Sequence, residues 1–388
     1  MKKILYIANA TIPTGWAHGY QIMKTCEALC EVGCEVKLVV SNRRDLMATG
    51  DGFTTYTVKP LFPLYRMPII DLVYFAPAWF ERFAFALERW TFMQSLRKFL
   101  PSLKQADAIY VRDSYLANKL RAITNLPIFY EMHSLPSDKT IGQLQHSSGV
   151  ACLTSELQKI VNERCKGVPT TIVPDAADVT VFDPPYSKEE ARQKLGFTPQ
   201  DLVIAYGGGF ATMGKGKGVG ELDGVVSELK SQFPTLKLCL IGGTEGDFER
   251  VEGRKPFTST NCVGFVPRDV LATYLRAADV VAMPFPNTPH YAKAMSPMKM
   301  FEYMASGTVM LTSDLPSVRD VLSEETASFY EPDNLPDLKA KLAALLSDNE
   351  GRLRKGAAAK ELVKKAYTWP ARAKRIVDFV DQVVAKKS

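Results

Sequence analysis

Two patterns alternate along the chain: short, almost wholly apolar runs, and longer stretches with helical periodicity. The runs Lys3–Asn9, Glu35–Ser41, Ala108–Arg112, Ile128–Met132, Gly149–Leu153 and Thr171–Pro174 occupy the first half. Runs of this length, apolar at most positions, predict strands covered on both faces, as in a parallel sheet. Ala17–Val32, between the first two, predicts a helix. Thr180–Gln200, with Asp183-Pro-Pro-Tyr186 and a charged helix ending at Leu195-Gly196, predicts a connection between domains. A second series then begins, with strands at Leu202–Tyr206, Leu236–Ile241, Asn261–Gly264, Asp279–Pro284 and Thr308–Ser313. Helices lie between them, and two or three more close the chain. The expected class is α/β, with two doubly wound parallel sheets in tandem. Ligands of such sheets sit at the carboxyl ends of strands, so the cleft between the domains is the expected site.

The length of 388 residues accommodates two domains, each with its own core. A content of 46% hydrophobic and 23% charged residues is that of an ordinary soluble protein. The net charge of +6 is spread along the chain without a basic run, which argues against a nucleic-acid binder. Seven cysteines show no CxxC pairing and no neighbouring histidines, so no zinc site is expected. Cys26, Cys30 and Cys34 recur every four residues and read as a buried stripe. An odd, unpaired set fits a reducing cytoplasm. The apolar run after Met1-Lys-Lys is too short for a signal peptide, and no stretch of ~20 apolar residues predicts a membrane span.

The most informative segment is Ser296-Pro-Met-Lys-Met-Phe-Glu-Tyr-Met-Ala-Ser-Gly307. Ser296 predicts an N-cap, Pro297 the first helical position and Gly307 the stop. Amides near Met298, Lys299 and Met300 would then face outward with the positive end of the helix dipole. Lys299 opposes that dipole, so an anion is expected there. Glu302 follows one turn deeper, where a nucleotide's ribose would lie beyond its diphosphate. The competing reading is an i,i+3 pair of Lys299 with Glu302 beside a core stripe.

Three other segments end predicted strands. Gly207-Gly208-Gly209, with Lys215-Gly216-Lys217-Gly218, predicts a loop whose amides and lysines meet an anion; it does not form a P-loop, and a surface loop is the alternative. Thr14-Gly15-Trp16-Ala17-His18 is a candidate ligand loop or a plain strand–helix turn. Glu131-Met132-His133 places one of only four histidines at a strand end. Ser155 with Gln158 spells a capping box and is assigned no chemistry. Leu61–Leu100 is crowded with aromatics, among them Tyr74, Phe75, Trp79, Phe83 and Trp90, interspersed with arginines. It is a candidate membrane surface or a helix packed on its own sheet.

With these residues in view, the chain resembles glycosyltransferase family 4, nucleotide-sugar enzymes of the GT-B fold with two facing Rossmann-like domains. The most specific likeness is SPMKMFEYMASG followed by TSDLP. Supporting segments are Ile172–Asp178 through Phe182, Val263-Gly-Phe-Val-Pro267, Leu275–Asp279 into Val280–Pro284, and Tyr367-Thr-Trp369. The resemblance implies domains at 1–180 with 367–388, and at 181–366. It implies that Glu302 holds the ribose and that Ser296, Pro297, Met298 and Lys299 bind the diphosphate. Lys217, Gly208 and Gly209 would join from the glycine loop, and Val266 would meet the base. His133 would be the catalytic-face residue toward the donor sugar, with Gly15 and His18 on the acceptor side.

Two positions depart from the family pattern. Ala294 stands where the family often has the first glutamate of a Glu-x7-Glu pair, and Phe210 where an arginine is frequent. The implied activity is a retaining, metal-independent transfer from a nucleotide-sugar donor to a glycan, lipid-linked or small-molecule acceptor, with no cofactor. Cell-surface polysaccharide or glycoconjugate synthesis is the implied setting, in the cytoplasm or peripherally on the inner face of the membrane. Two alternatives remain open: a GT-B UDP-sugar epimerase, and a non-catalytic nucleotide-sugar-binding protein. The absence of GxGxxG after the first strand argues against a nicotinamide oxidoreductase.

Overall fold

A computed structural model divides the chain into two compact units, Met1–Pro174 with Trp369–Ser388, and Asp175–Thr368. The structure describes all residues except 44–49, 74–75, 78, 104, 213 and 387–388.

The first unit is built on seven parallel strands: β1 (Lys3–Ala8), β2 (Glu35–Ser41), β3 (Leu64–Met67), β4 (Ala108–Val111), β5 (Ile128–Met132), β6 (Gly149–Cys152) and β7 (Thr170–Ile172). Their order is β3-β2-β1-β4-β5-β6-β7, with β1 in register against both β2 and β4. In the second unit β8 (Leu202–Gly207) is followed by a small hairpin, β9 (Ala211–Thr212) and β10 (Lys215–Gly216). Then come β11 (Leu236–Ile241), β12 (Thr260–Gly264), β13 (Val280–Met283), β14 (Met310–Ser313) and β15 (Ala327–Tyr330). The second sheet runs β12-β11-β8-β13-β14-β15, again parallel.

Burial explains the sequence pattern. β4, β5, β6, β13 and β14 are buried at every position, as continuous apolar runs require, whereas the edge strands β3, β7 and β12 are partly exposed. β3 reads Leu-Tyr-Arg-Met and β15 reads Ala-Ser-Phe-Tyr; neither has a run long enough to be predicted.

The helix Ala17–Glu31 is buried along its middle, including the polar Gln21, Lys24, Thr25 and Glu27. It is covered by the sheet and by the last helix, Trp369–Ala385. That last helix seats Phe379 edge-on against Phe129 at 5.6 Å, above Gly149. A Cβ at Gly149 would stand 2.7 Å from the Phe379 ring, so the bare backbone lets the helix approach.

Three local expectations are corrected. Thr180–Gln200 is not a linker but part of the second unit, because Lys188 and Arg192 both grip Asp279, at 2.7 and 2.6 Å, ahead of β13. The N-cap before Leu157 is Thr154 rather than Ser155, and Gln158 donates to Thr170 instead of closing a capping box. Cys34 is buried, but it lies past the end of the helix that carries Cys26 and Cys30.

Candidate functional site

Each sheet has a switch point where crossovers leave in opposite directions, between β8 and β13 in the second unit and between β1 and β4 in the first. In the second unit the glycine run ends β8. The Gly207 amide donates to the Tyr303 hydroxyl at 2.6 Å, and the Tyr206 hydroxyl donates to the Gly209 carbonyl at 3.0 Å. Gly208 has φ of 118°, and a Cβ there would lie 2.9 Å from Lys299 Nζ. Gly218, with φ of 78°, passes so close to Pro284 that a Cβ would meet its carbonyl oxygen at 1.8 Å. Both positions require glycine, for the backbone angle and for the space. Between them β9 and β10 pair, and the Lys217 amide donates to the Phe210 carbonyl at 2.9 Å.

Lys299 lies in the first turn of the helix Met298–Ser306. Its ammonium is 3.8 Å from the centre of the Tyr206 ring and 5.4 Å from that of Phe285. It is buried and makes no hydrogen bond. Burial drives its pKa well below the ordinary lysine value; Lys217 adds repulsion, and Glu302 offsets this only in part. Lys217 is itself lowered to about 8 by burial. Two lysines thus crowd the glycine loop, and among the described residues Lys299 Nζ has no hydrogen-bond or ion-pair partner. A bound anion would relieve both.

The helix start differs from expectation. Ser296 is not the N-cap: its hydroxyl accepts from the Asp175 amide at 2.9 Å, holding the incoming chain to the helix. Pro297 takes the cap position without a side-chain hydrogen bond. Gly307 closes the helix in the left-handed conformation, φ 73°, as read from the sequence. The i,i+3 pair of Lys299 with Glu302, the competing reading, does not form. Glu302 instead accepts from Arg268, at the start of the helix Arg268–Ala277, and is buried. Val266 packs against the core below β12, while Phe265 beside it is 85% exposed.

The two departures have structural causes. Ala294 is core, 1% exposed, and Phe210 fills the space beneath Gly243, stacked edge-on with Phe248 at 6.2 Å. Neither position can bring charge to the loop. His290, in the short helix Pro289–Lys293, faces the same region. Burial lowers its pKa, and Lys217 adds to that.

In the first unit, Glu131 on β5 is fully buried and saturated with donors. Oε1 accepts from Gln21 at 2.8 Å and bonds His133 Nε2 at 2.5 Å, while Oε2 accepts from Tyr110 at 2.6 Å and Arg372 at 2.7 Å. Arg112 donates to the Gln21 side-chain oxygen. Burial opposes the Glu131 charge, but Arg372, then His133 and Arg112, outweigh it and hold the carboxyl well below its ordinary value. His133 is lowered to about 4, by burial and then by Arg112. It is therefore neutral near pH 7. A charged carboxylate only accepts, so Nε2 carries the proton and Nδ1 keeps its lone pair.

Gly15 does not need glycine geometry, since a Cβ there would meet nothing within 4 Å; the demanding position is Gly19, where a Cβ would strike the Tyr56 hydroxyl at 2.2 Å. His18 sits in the first turn of the helix Ala17–Glu31. Among the described residues, no group of three or more His, Cys, Asp or Glu is placed to hold a metal ion. Sequence reading missed Arg268, His290, Glu131 and Arg372. The rarity that singled out His133 applies equally to His290, and a glutamate inside an apolar strand signals a buried partner. Nothing local in the sequence ties Arg268 to Glu302 or Arg372 to Glu131.

Two Rossmann-like units with parallel sheets, the second with Lys217 and Lys299 at its switch point, give the GT-B fold. Residues 225–378 match the glycosyl transferase-like family. The phosphatidyl-myo-inositol mannosyltransferase of Mycolicibacterium smegmatis is 27% identical over 168 residues, 43% of this chain and 42% of that protein. The D-inositol 3-phosphate glycosyltransferase of Jonesia denitrificans is 25% identical over 279 residues, 63% of each chain. The chain spans about half the length of the first of these curated relatives. Sucrose-phosphate synthase from Thermosynechococcus elongatus superposes with a TM-score of 0.76 at 18% identity, covering 100% of both chains. Anabaena Alr3699/HepE, solved with UDP-glucose, gives 0.70 at 14% identity, covering 98% of this chain and 100% of that one. At such identities the structural likeness establishes the fold, and it agrees with the resemblance read from the sequence.

Proposed function

We propose that the chain is a retaining, metal-independent glycosyltransferase that moves a sugar from a nucleoside diphosphate donor to a hydroxyl of a glycan, lipid-linked or small-molecule acceptor. The observation that carries this reading is the buried, unpartnered ammonium of Lys299 over Gly208, with Lys217 beside it. In transfer the negative charge develops on the departing diphosphate. Two preorganised cations and the free amides at Met298 and Lys299 stabilise that charge in a water-poor setting. No metal or cofactor enters this scheme. Val266 meets the base, and Gly209 lines the phosphate path. Glu302 holds the ribose hydroxyls once Arg268 is shared with the ligand. His133 offers Nδ1 as an acceptor to a substrate hydroxyl rather than acting as an acid near neutrality. Gly15 and His18 border the acceptor. Relatives named for mannosyl and inositol glycosyl transfer, and neighbours solved with UDP or UDP-glucose, support the same class.

The test is a thermal-shift panel of UDP, GDP, ADP and dTDP, followed by product analysis with the matching donor sugars. Stabilisation by one nucleotide and a product of retained configuration are expected. Binding without any product would leave a nucleotide-sugar-binding scaffold. No response to any nucleotide would end the donor reading.

A membrane-peripheral role in polysaccharide or glycoconjugate synthesis belongs to the same proposal. On and beside the helix Glu81–Phe99, Trp79 is 83% exposed, with Phe83, Trp90, Arg82, Arg89, Arg97 and Lys98 also exposed; Tyr74 and Phe75 lie outside the described residues. No described helix is long and apolar enough to cross a membrane. Co-sedimentation with vesicles containing anionic lipid, lost when Trp79 and Trp90 become alanine, is the expected result; equal sedimentation of both proteins would refute it.

A further inference from the structure

The Glu131 carboxylate collects four donors: Gln21 and His133 on Oε1, at 2.8 and 2.5 Å, and Tyr110 and Arg372 on Oε2, at 2.6 and 2.7 Å. A carboxylate offers about four lone-pair positions, so each donor takes one and none is spare. The donors are themselves fixed in orientation. The Gln21 side-chain oxygen accepts from Arg112, which turns its NH2 group toward Glu131 Oε1. Arg372 comes from the helix Trp369–Ala385; its Nε donates to the Pro174 carbonyl and its Nη1 to the Thr25 hydroxyl, both at 3.1 Å. Gln21, Tyr110 and Arg372 are 2%, 1% and 2% exposed, whereas the His133 side chain keeps 18%. Of the four donors, only the imidazole reaches the surface.

A buried pair of Glu131 with Arg372 alone would serve packing no better than two apolar side chains of similar volume. It would also need no bond to a residue at the surface. What the added bond does is chemical. The charged carboxylate only accepts, so Nε2 must donate, and the lone pair is left on Nδ1. A substrate hydroxyl that donates to Nδ1 gains electron density on its oxygen, whereas one that accepted from an Nδ1–H would lose it. Departure of a diphosphate leaves positive charge on the sugar ring, and the first arrangement favours that charge. We propose that Glu131 is a positioning residue for His133: it fixes the Nε2–H tautomer, with Arg372 holding the carboxylate in place, so that Nδ1 meets a substrate hydroxyl as an acceptor. The inference rests on the glycosyl-transfer reading. It gives the last helix a part in the chemistry through Glu131, although Arg372 is too deeply buried to touch substrate itself.

Glu131→Gln is the decisive variant, because Arg372 and Tyr110 claim the amide oxygen and leave the NH2 group facing His133. Nε2 must then accept, and the proton moves to Nδ1. The experiment uses the full chain labelled with 15N-histidine. Two-bond 15N–1H correlation reads the tautomer, and the spectrum of His133→Gln identifies the signals among the four histidines. Turnover is read as nucleotide release from UDP-, GDP-, ADP- and dTDP-glucose and from GDP-mannose, with water as the acceptor. Expected are Nε2–H in the wild type, Nδ1–H in Glu131→Gln, and a kcat about 100-fold lower in the variant with KM within about two-fold. Glu131→Met combined with Arg372→Met is the second variant, in case Glu131→Gln fails to fold, since it leaves no buried charge unpaired. It should show both tautomers and a kcat about ten-fold lower. A packing role alone would move neither the tautomer nor kcat at constant KM. Nδ1–H in the wild type, an unchanged tautomer in a folded variant, or a changed tautomer with kcat retained would each overturn the positioning role. A wild type that releases no nucleotide, while the tautomer shifts in the variants as expected, would overturn the transfer reading and leave Glu131 as the group that sets the His133 proton.

Discussion

Lys299→Met should raise the stability of the ligand-free protein while weakening nucleotide binding, a combination of signs that a purely structural lysine would not produce. In the free protein the ammonium is buried without a hydrogen-bond acceptor, and the Tyr206 and Phe285 rings, with the Glu302 charge, oppose its desolvation only in part. An unsatisfied buried donor costs ~1–3 kcal/mol. The cation–π contacts return ~0.5–2 kcal/mol, and methionine sulfur against the same rings recovers ~0.3–1.5 kcal/mol. The net gain is about 1 kcal/mol, and for a unit the size of Asp175–Thr368 that is a rise of roughly 2–4 °C in Tm. Loss of a charge-assisted hydrogen bond to the diphosphate should weaken binding by ~1.5–3 kcal/mol, or roughly 10- to 100-fold. Differential scanning calorimetry without ligand and isothermal titration with the nucleoside diphosphate read the two halves. A variant that melts several degrees lower, or that binds nucleotide as wild type does, would refute the placement of the anion over Gly208.

The other expectations concern groups nearby and in the first unit. Glu302→Ala should abolish the preference of the protein for a ribo- over a 2′-deoxyribonucleoside diphosphate; a preference that survives would place the ribose elsewhere. Lys217, at about 8 in the free protein, binds the anion as the protonated form, so its contribution to affinity should hold to about pH 8 and then weaken, approaching ten-fold per pH unit, with proton uptake seen calorimetrically. A flat profile from pH 7 to 9.5 would remove Lys217 from the site. Glu131→Gln leaves Arg372, 2% exposed, without its counter-charge, and should cost ~3–5 kcal/mol in urea unfolding, whereas replacing both residues with methionine should cost far less. Because the folded-state pKa of Glu131 is depressed, its contribution is complete above the ordinary carboxyl value of 4.5 and is lost as pH falls through the folded value. A Glu131→Gln protein with wild-type acid stability would contradict that pairing.

Much of the fold was legible because central parallel strands are covered on both faces, so their apolar runs are continuous and their ends abrupt. Ile128–Met132 and Leu236–Ile241 match the predicted bounds, whereas β3 and β15 are short edge strands that lack the pattern. The place of Lys299 was legible from residue type: a lysine in the first turn of a helix works against the dipole, and the structure puts it in that turn. Its geometry was not. That Glu302 faces Arg268 rather than Lys299, and that Ser296 braces Asp175 rather than capping the helix, depend on neighbours remote in sequence. The pair of Glu131 with Arg372 spans 241 positions and has no local signature, since only the return of the last helix assembles it.

The return of Trp369–Ala385 to the first unit carries a consequence for biosynthesis. Glu131 emerges early from the ribosome, and the guanidinium that neutralises it is supplied only with Arg372, some 240 positions later. Domains that fold as contiguous units can mature in the order in which they are made. Here the first unit is begun first and completed last, after Asp175–Thr368 has been synthesised. Until then Glu131 in its central sheet lacks its strongest counter-charge, and the face that will receive Phe379 lies open. A product truncated before residue 369 would keep every described strand of both sheets and still lack the guanidinium that pairs with Glu131.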